Sequence, residues 1–177
     1  SVQGSVSINS GENDDAFALD MSSTGNVVNI KNEIRNMKSL PHRITVYRDG
    51  QKMVFRDKEA FKKYQNEHGR NFQSHSEGID MDIVLEIKVP RNAETRVESV
   101  YGTVEIKNFV GPLSVTSTYG GVDAALTERA TGEVTAETNY GEIYTNLDVK
   151  FGGDKFKDEN FRTLVSATPG SGPKYSF

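Results

Sequence analysis

The chain has 177 residues, enough for one domain with a buried core or for two small ones. Its hydrophobic content of 35% is low and its 16 glycines are many, a balance typical of β-rich proteins with numerous turns. A net charge of −4 without a basic run argues against nucleic-acid binding, and the lack of cysteine excludes disulfides, thiol catalysis and cysteine-ligated zinc.

The chain opens on the strand-like stretch SVQGSVSIN and shows no signal peptide. Such a start would suit an exported protein whose leader has been removed, and that leader could have carried a lipid anchor. No stretch approaches 18 apolar residues, so we expect no transmembrane segment.

The first third of the chain contains two weak copies of a glycine-led strand motif. One is Gly4-Ser5-Val6-Ser7-Ile8, and the other begins at Gly25-Asn26-Val27. Both predict early turns of a repeat that becomes clearer downstream.

Residues from about 33 to 78 interrupt this repeat. Asp49-Gly50 separates two alternating runs, which is a strong signal for a β-hairpin. Asp57 is a good N-cap for a following helix, and Gly69 is a good stop for it. We therefore predict an inserted hairpin followed by one short helix.

A long strand is predicted from Ile79 to Val89, where apolar residues alternate with charged ones until Pro90 ends the pattern.

The clearest repeat follows, in three segments aligned on Tyr101, Tyr119 and Tyr140, which are 18 and 21 residues apart. Each tyrosine precedes a glycine, and small or apolar residues stand two and four positions before it and an apolar residue three positions after it. Counted from the tyrosine, the positions that face inward therefore change from even before the Tyr-Gly pair to odd after it. That change of parity predicts a corner, with glycine supplying the bend.

Strand-rich units of roughly 18–21 residues predict a repeat fold whose turns stack to bury a shared core. We therefore predict an all-β protein with a single domain over residues 1–177, a single-stranded parallel β-solenoid, or β-helix, carrying the hairpin and helix as an insertion. The crossover rule favours right-handed winding.

The strand ending in Val89-Pro90, followed by the Tyr-Gly segments, resembles the bacterial adhesin-type domain families of unknown function found in exported proteins of Bacteroides-like bacteria. The resemblance covers residues 79–148 well and residues 1–32 loosely. It implies a β-solenoid and a role in adhesion or envelope association at the cell surface or in the periplasm. It brings no catalytic residues.

Two sets of side chains are candidate ligand contacts. Glu105 and Asp123 each lie four residues after a tyrosine of the repeat, and Glu142 lies two residues after the third tyrosine. Stacked turns would align the three side chains as an acidic column. Such a column could bind a hard cation or act as paired carboxylates on a polysaccharide. A solvated strand face is the simpler interpretation.

Tyr101, Tyr119 and Tyr140 form the second set. Aligned aromatic rings can hold sugar rings. The simpler interpretation is a structural ladder at the corners, partly buried because of the strand parity.

We therefore expect a non-enzymatic exported protein that binds or scaffolds a host or envelope glycan or protein, without a metal or cofactor. The alternatives are a carbohydrate-binding or polysaccharide-active β-helix protein and a self-assembling structural β-solenoid.

Overall fold

The computed structural model describes residues 2–8, 16–79, 83–149, 157–159 and 161–177. The chain divides into two compact units, Ser1–Lys88 and Val89–Phe177. The assignment of residues 1–177 to a single domain stays a prediction.

The first unit contains one α-helix and seven described strands, and these strands form three small sheets. In chain order they are β1 (Gln3–Ile8), β2 (Phe17–Thr24), β3 (Val27–Ile34), β4 (Arg43–Arg48), β5 (Gln51–Phe55), α1 (Lys58–His68), β6 (Ser74–Gly78) and β7 (Ile83–Lys88).

The predicted hairpin and helix of this unit are confirmed. β4 and β5 pair antiparallel around Asp49 and Gly50, which both have the positive φ of a tight hairpin turn. Asp57 caps α1 by accepting a hydrogen bond from the N–H of Ala60 at 2.8 Å, and Gly69 ends the helix. The sequence did not predict β6, which pairs antiparallel with the other side of β4.

A small core holds this helix to its sheet. Ile44 and Val46 point from β4 into the core, and Phe61 of α1 packs with them. The hydrophobic spacing along α1 therefore buries one face against the sheet, as an amphipathic helix does.

The early strands do not form turns of a solenoid. β1 pairs antiparallel with β7, so the strand predicted from Ile79 is confirmed over Ile83–Lys88, while residues 80–82 lie outside the described part. Gly25 and Asn26 form the turn of an antiparallel hairpin between β2 and β3. Glycine in these two segments thus marks ordinary antiparallel pairing.

The second unit is built on one mixed six-stranded sheet with the order β11-β12-β10-β13-β9-β8. Its strands are β8 (Thr95–Ile106), β9 (Leu113–Ala124), β10 (Val134–Asn139), β11 (Lys157–Glu159), β12 (Arg162–Ala167) and β13 (Tyr175–Ser176).

The first two Tyr-Gly segments are stacked as the repeat predicts. β8 and β9 run parallel in register, with Tyr101 beside Tyr119 and Gly102 beside Gly120. A straight strand of 12 residues would span about 40 Å. The six-residue link at 107–112 reaches at most about 25 Å, so each strand has to bend.

The bend lies at the Tyr-Gly pair, as the change of parity predicts. Val97 and Ser99 are half-buried before it, whereas Val104 and Ile106 are half-buried after it. Gly102 has φ +86°, a conformation that other residues rarely adopt. At Gly120 the reason for glycine is space, because a Cβ there would lie 1.8 Å from the carbonyl oxygen of Gly102.

The third segment does not stack on the second, because β13 lies between them. Tyr175 pairs in parallel with Leu113 of β9 on one side and with Val134 of β10 on the other. Its side chain is only 1% exposed and belongs to the core formed with Phe109 and Val115. The C-terminal strand is therefore the centre of the sheet.

The predicted single parallel β-solenoid is wrong. The chain is mostly β, but its strands form separate antiparallel and mixed sheets. Parallel stacking of one repeat directly on the next occurs, among the described strands, at β8 and β9. On its other side β10 pairs antiparallel with β12. The third segment therefore belongs to the repeat in the sequence, but its strand does not pair as the repeat predicts.

Replacing Gly120 with alanine should destabilise the second unit by about 1–3 kcal/mol, the usual cost of forcing extra atoms into a packed site. Gly121→Ala is the matched control, because a Cβ there meets nothing within 4 Å. Urea unfolding of the two variants measures the difference. Equal stability of the two would contradict the close approach of the two strands at the corner.

The cap of α1 should make the stability of the first unit depend on pH. The N–H of Ala60, and then Arg56, hold the pKa of Asp57 below its usual 3.8. The contribution of this carboxylate is therefore present above pH 3.8 and is lost as the pH falls through the lower pKa of the folded state.

Asp57→Asn keeps the capping oxygen but cannot ionise. Thermal unfolding followed by circular dichroism from about pH 6 to about pH 2 should show the wild type losing stability relative to this variant at the acidic end. Parallel curves across the whole range would contradict the role of the carboxylate.

Candidate functional site

The three tyrosines of the repeat are exposed in the second unit. Tyr101, Tyr119 and Tyr140 are 76%, 68% and 84% exposed. The expected partial burial is therefore wrong. Each tyrosine follows two inward-facing positions of its strand, but it lies where the strand bends or ends, beyond the residues that fill the core.

The first two rings form one stacked pair. The ring centroids of Tyr101 and Tyr119 are 5.4 Å apart, and the planes are 20° from parallel. The in-register pairing of β8 and β9 sets this contact, since it places the two residues on adjacent strands. The predicted ladder is confirmed for these two tyrosines, on the surface of the unit.

Tyr140 stacks on a residue that the sequence did not single out. Its ring lies 5.3 Å from that of Phe161, with planes 21° apart, and its N–H donates to the carbonyl oxygen of Phe161. Phe161 directly precedes β12, which pairs antiparallel with β10, and its side chain is 74% exposed.

The register of the sheet places both pairs at one level. Thr95 pairs directly with Leu113, and β13 links Leu113 to Val134 because both pair with the same residue of that strand. Each of these three residues stands six positions before a tyrosine of the repeat. Tyr101 and Tyr119 are neighbours across β8 and β9, whereas Tyr140 lies just past the end of β10 with a positive φ of 66°. The fourth ring joins them, and we call this set the aromatic row: Tyr101, Tyr119, Tyr140 and Phe161.

The aromatic row has a gap in its middle. β13 separates β9 from β10, so two strand spacings, about 9.6 Å, lie between Tyr119 and Tyr140. Each of these two rings uses one face for its stacked partner.

The acidic column forms only in part. Glu105 and Asp123 are neighbours across β8 and β9, and Lys107 lies beside them with its Nζ 2.5 Å from Oε2 of Glu105. That hydrogen bond and the positive charge lower the pKa of Glu105. The pKa of Lys107 is raised, mainly by Glu105 and to a lesser extent by Asp123. A lysine therefore offsets the repulsion between the two carboxylates.

Glu142 lies outside this pairing. It follows the end of β10 in a segment without strand structure, and its carboxylate accepts a hydrogen bond from the hydroxyl of Tyr144. This bond stabilises the neutral phenol and raises the pKa of Tyr144. Stacking of the three acids in one column is therefore wrong, because the third segment is not paired to the second.

The described carboxylates do not assemble a metal site, and Glu105 lacks the raised pKa of a general acid. In the described part of the chain no group of three or more histidine, cysteine, aspartate or glutamate side chains could hold a metal ion. A general acid in glycoside hydrolysis needs a raised pKa, whereas that of Glu105 is lowered.

Comparison with known proteins gives no relative, since no family model, curated protein or solved structure matches this chain. Within the described ranges, no helix is both long and apolar enough to cross a membrane.

The exposure of the aromatic row predicts that its tyrosines contribute little to folding. Tyr119→Ala should cost about 1 kcal/mol, the worth of one aromatic pair. Tyr175→Ala removes a core side chain and should cost about 3–5 kcal/mol. Urea unfolding of both variants tests this contrast, and a loss at Tyr119 as large as that at Tyr175 would show that the row is structural.

Proposed function

We propose that this protein is a non-enzymatic binding module that holds its ligand at the aromatic row. The observation that carries the proposal is the exposure of four large aromatic side chains that form two stacked pairs in the second unit. Leaving such apolar area in water is unfavourable, and clustered exposed aromatic side chains often mark interaction sites.

The acidic residues support a binding role over a catalytic one. Glu105 is ion-paired to Lys107 and has a lowered pKa, so it is a poor proton donor at neutral pH. Glu105 and Asp123 would instead flank the row as a rim of charge, and the polar rim of an interface contributes to orientation more than to affinity.

The module acts outside the cytoplasm in this proposal, at the cell surface or in the periplasm. Its support is the resemblance of the Val89-Pro90 strand and the Tyr-Gly segments to adhesin-type domains of exported proteins. The partner would be a component of the envelope or of a host surface.

A carbohydrate ligand is the second candidate. Pyranose rings pack their C–H faces on aromatic rings, and the two stacked pairs offer exposed aromatic surface for such contacts. Polysaccharide cleavage is less well supported, because the pKa of Glu105 is lowered by Lys107, whereas a general acid needs a raised pKa.

Binding to an array that carries both glycans and extended peptides tests the proposal. We expect array signals from the wild type that fall about tenfold or more in the Tyr119→Ala/Tyr140→Ala double variant, because each lost ring contact is worth about 0.5–1.5 kcal/mol. Tyr144→Ala is the matched control, since this tyrosine is 83% exposed but lies outside the row.

Signals that survive the double substitution, or release of product from any arrayed glycan, would overturn the proposal. Signals on glycans alone would identify the carbohydrate candidate.

A further inference from the structure

The β2–β3 hairpin of the first unit is a two-stranded sheet with an open edge on each strand. Among the described strands, β2 and β3 pair only with one another. A lone two-stranded hairpin is marginally stable in water, and an open edge is a template for pairing with another chain. The hairpin therefore gains most from a strand added to one of its edges.

The register of the hairpin shows which backbone groups of β3 face its open edge. The N–H of Arg35 donates to the carbonyl oxygen of Ala16 at 2.6 Å, so Arg35 stands at a hydrogen-bonded position of the ladder. Alternation along β3 then directs the N–H and C=O groups of every second residue before it away from β2, namely those of Ile34, Asn32 and Ile30. These groups are available to an added strand.

The side chains at this edge are complementary to a second copy of the same edge. Lys31 and Glu33 are exposed on either side of Asn32, and neither is ion-paired with another described residue. A lysine on an edge normally deters pairing. In an antiparallel pair that places Asn32 opposite Asn32 of a second copy, however, each Lys31 lies opposite a Glu33. Opposite charges at facing positions stabilise a strand pair.

Other two-fold registers lack this match. A register centred on Lys31 or on Glu33 would place one of these charges opposite its own copy, which is destabilising. A register centred on Ile30 would place both charges opposite uncharged residues. The charges therefore favour the register centred on Asn32.

Apolar side chains support the same register. It places Ile30 opposite Ile34 of the second copy, at positions where facing residues exchange both backbone hydrogen bonds. These isoleucines share one face of the hairpin with Met21 and Val28, which are 47% and 41% exposed. Pairing of two hairpins would extend this apolar face across a larger sheet, which is what a two-stranded ribbon needs for stability.

We infer that this protein forms a dimer through β3, with the two hairpins paired antiparallel about a two-fold axis at Asn32. The partner is a second copy of this chain, and the interface is isologous. β3 belongs to the first unit and the aromatic row to the second, so this inference does not depend on the proposed function.

Sedimentation equilibrium of the intact chain over a range of concentrations tests the dimer. We expect the wild type to dimerise and the Lys31→Glu and Glu33→Lys variants each to dimerise about tenfold more weakly, because like charges then face one another. An equimolar mixture of the two variants should recover the wild-type affinity, since two negative charges on one chain then face two positive charges on the other. The mixture contains the same two chains, so its recovery separates the charge match from any loss of folding.

Disulfide trapping is a second measurement, and it detects a weak dimer. The chain has no natural cysteine. The two copies of Asn32 would form a hydrogen-bonded pair with Cα atoms about 5.5 Å apart, within the range for a disulfide. Oxidation should therefore crosslink Asn32→Cys chains rapidly. Asn29→Cys is the matched control, because the copies of this exposed asparagine of the same strand would lie about 20 Å apart.

A chain that stays monomeric at every concentration and crosslinks no faster at position 32 than at position 29 would overturn the inference. A dimer of unchanged affinity in both charge variants would overturn it equally, because such a dimer would use another surface.

Discussion

The second unit depends on the insertion of Tyr175 between β9 and β10. This buried residue pairs with Leu113 on one side and with Val134 on the other, and its ring fills the core that the neighbouring strands share. Without it, the parallel pair β8–β9 and the antiparallel group around β10 would have no common strand. The same insertion keeps Tyr119 and Tyr140 two strand spacings apart and so creates the gap in the aromatic row.

The local elements of this protein could be predicted because their signals lie within a few residues of one another. Asp49-Gly50 specifies a hairpin, and Asp57 with Gly69 delimits a helix. Likewise the Tyr-Gly bend follows from a change of side-chain parity that can be read within one segment. The in-register pairing of Tyr101 with Tyr119 follows from the similarity of two consecutive segments.

The overall topology could not be predicted, since it depends on pairings between distant segments. Nothing near Tyr140 indicates that Tyr175 separates its strand from β9, and a third copy of a motif looks like a third stacked turn. Phe161 could not be predicted for the same reason, because it has no Tyr-Gly signature and reaches the row only through antiparallel pairing of β12 with β10. The exposure of the tyrosines could not be predicted either, because the parity of side chains along a strand does not show where the core ends.

β13 separates the second and third tyrosines, whereas the first and second are direct neighbours. The chain has no natural cysteine, so pairs can be introduced without interference. Disulfide formation needs Cα atoms about 4.4–6.8 Å apart. Oxidation should therefore crosslink the Tyr101→Cys/Tyr119→Cys variant readily and leave the Tyr119→Cys/Tyr140→Cys variant reduced, as measured by thiol titration. Ready crosslinking of the second pair would contradict the separation and the gap that follows from it.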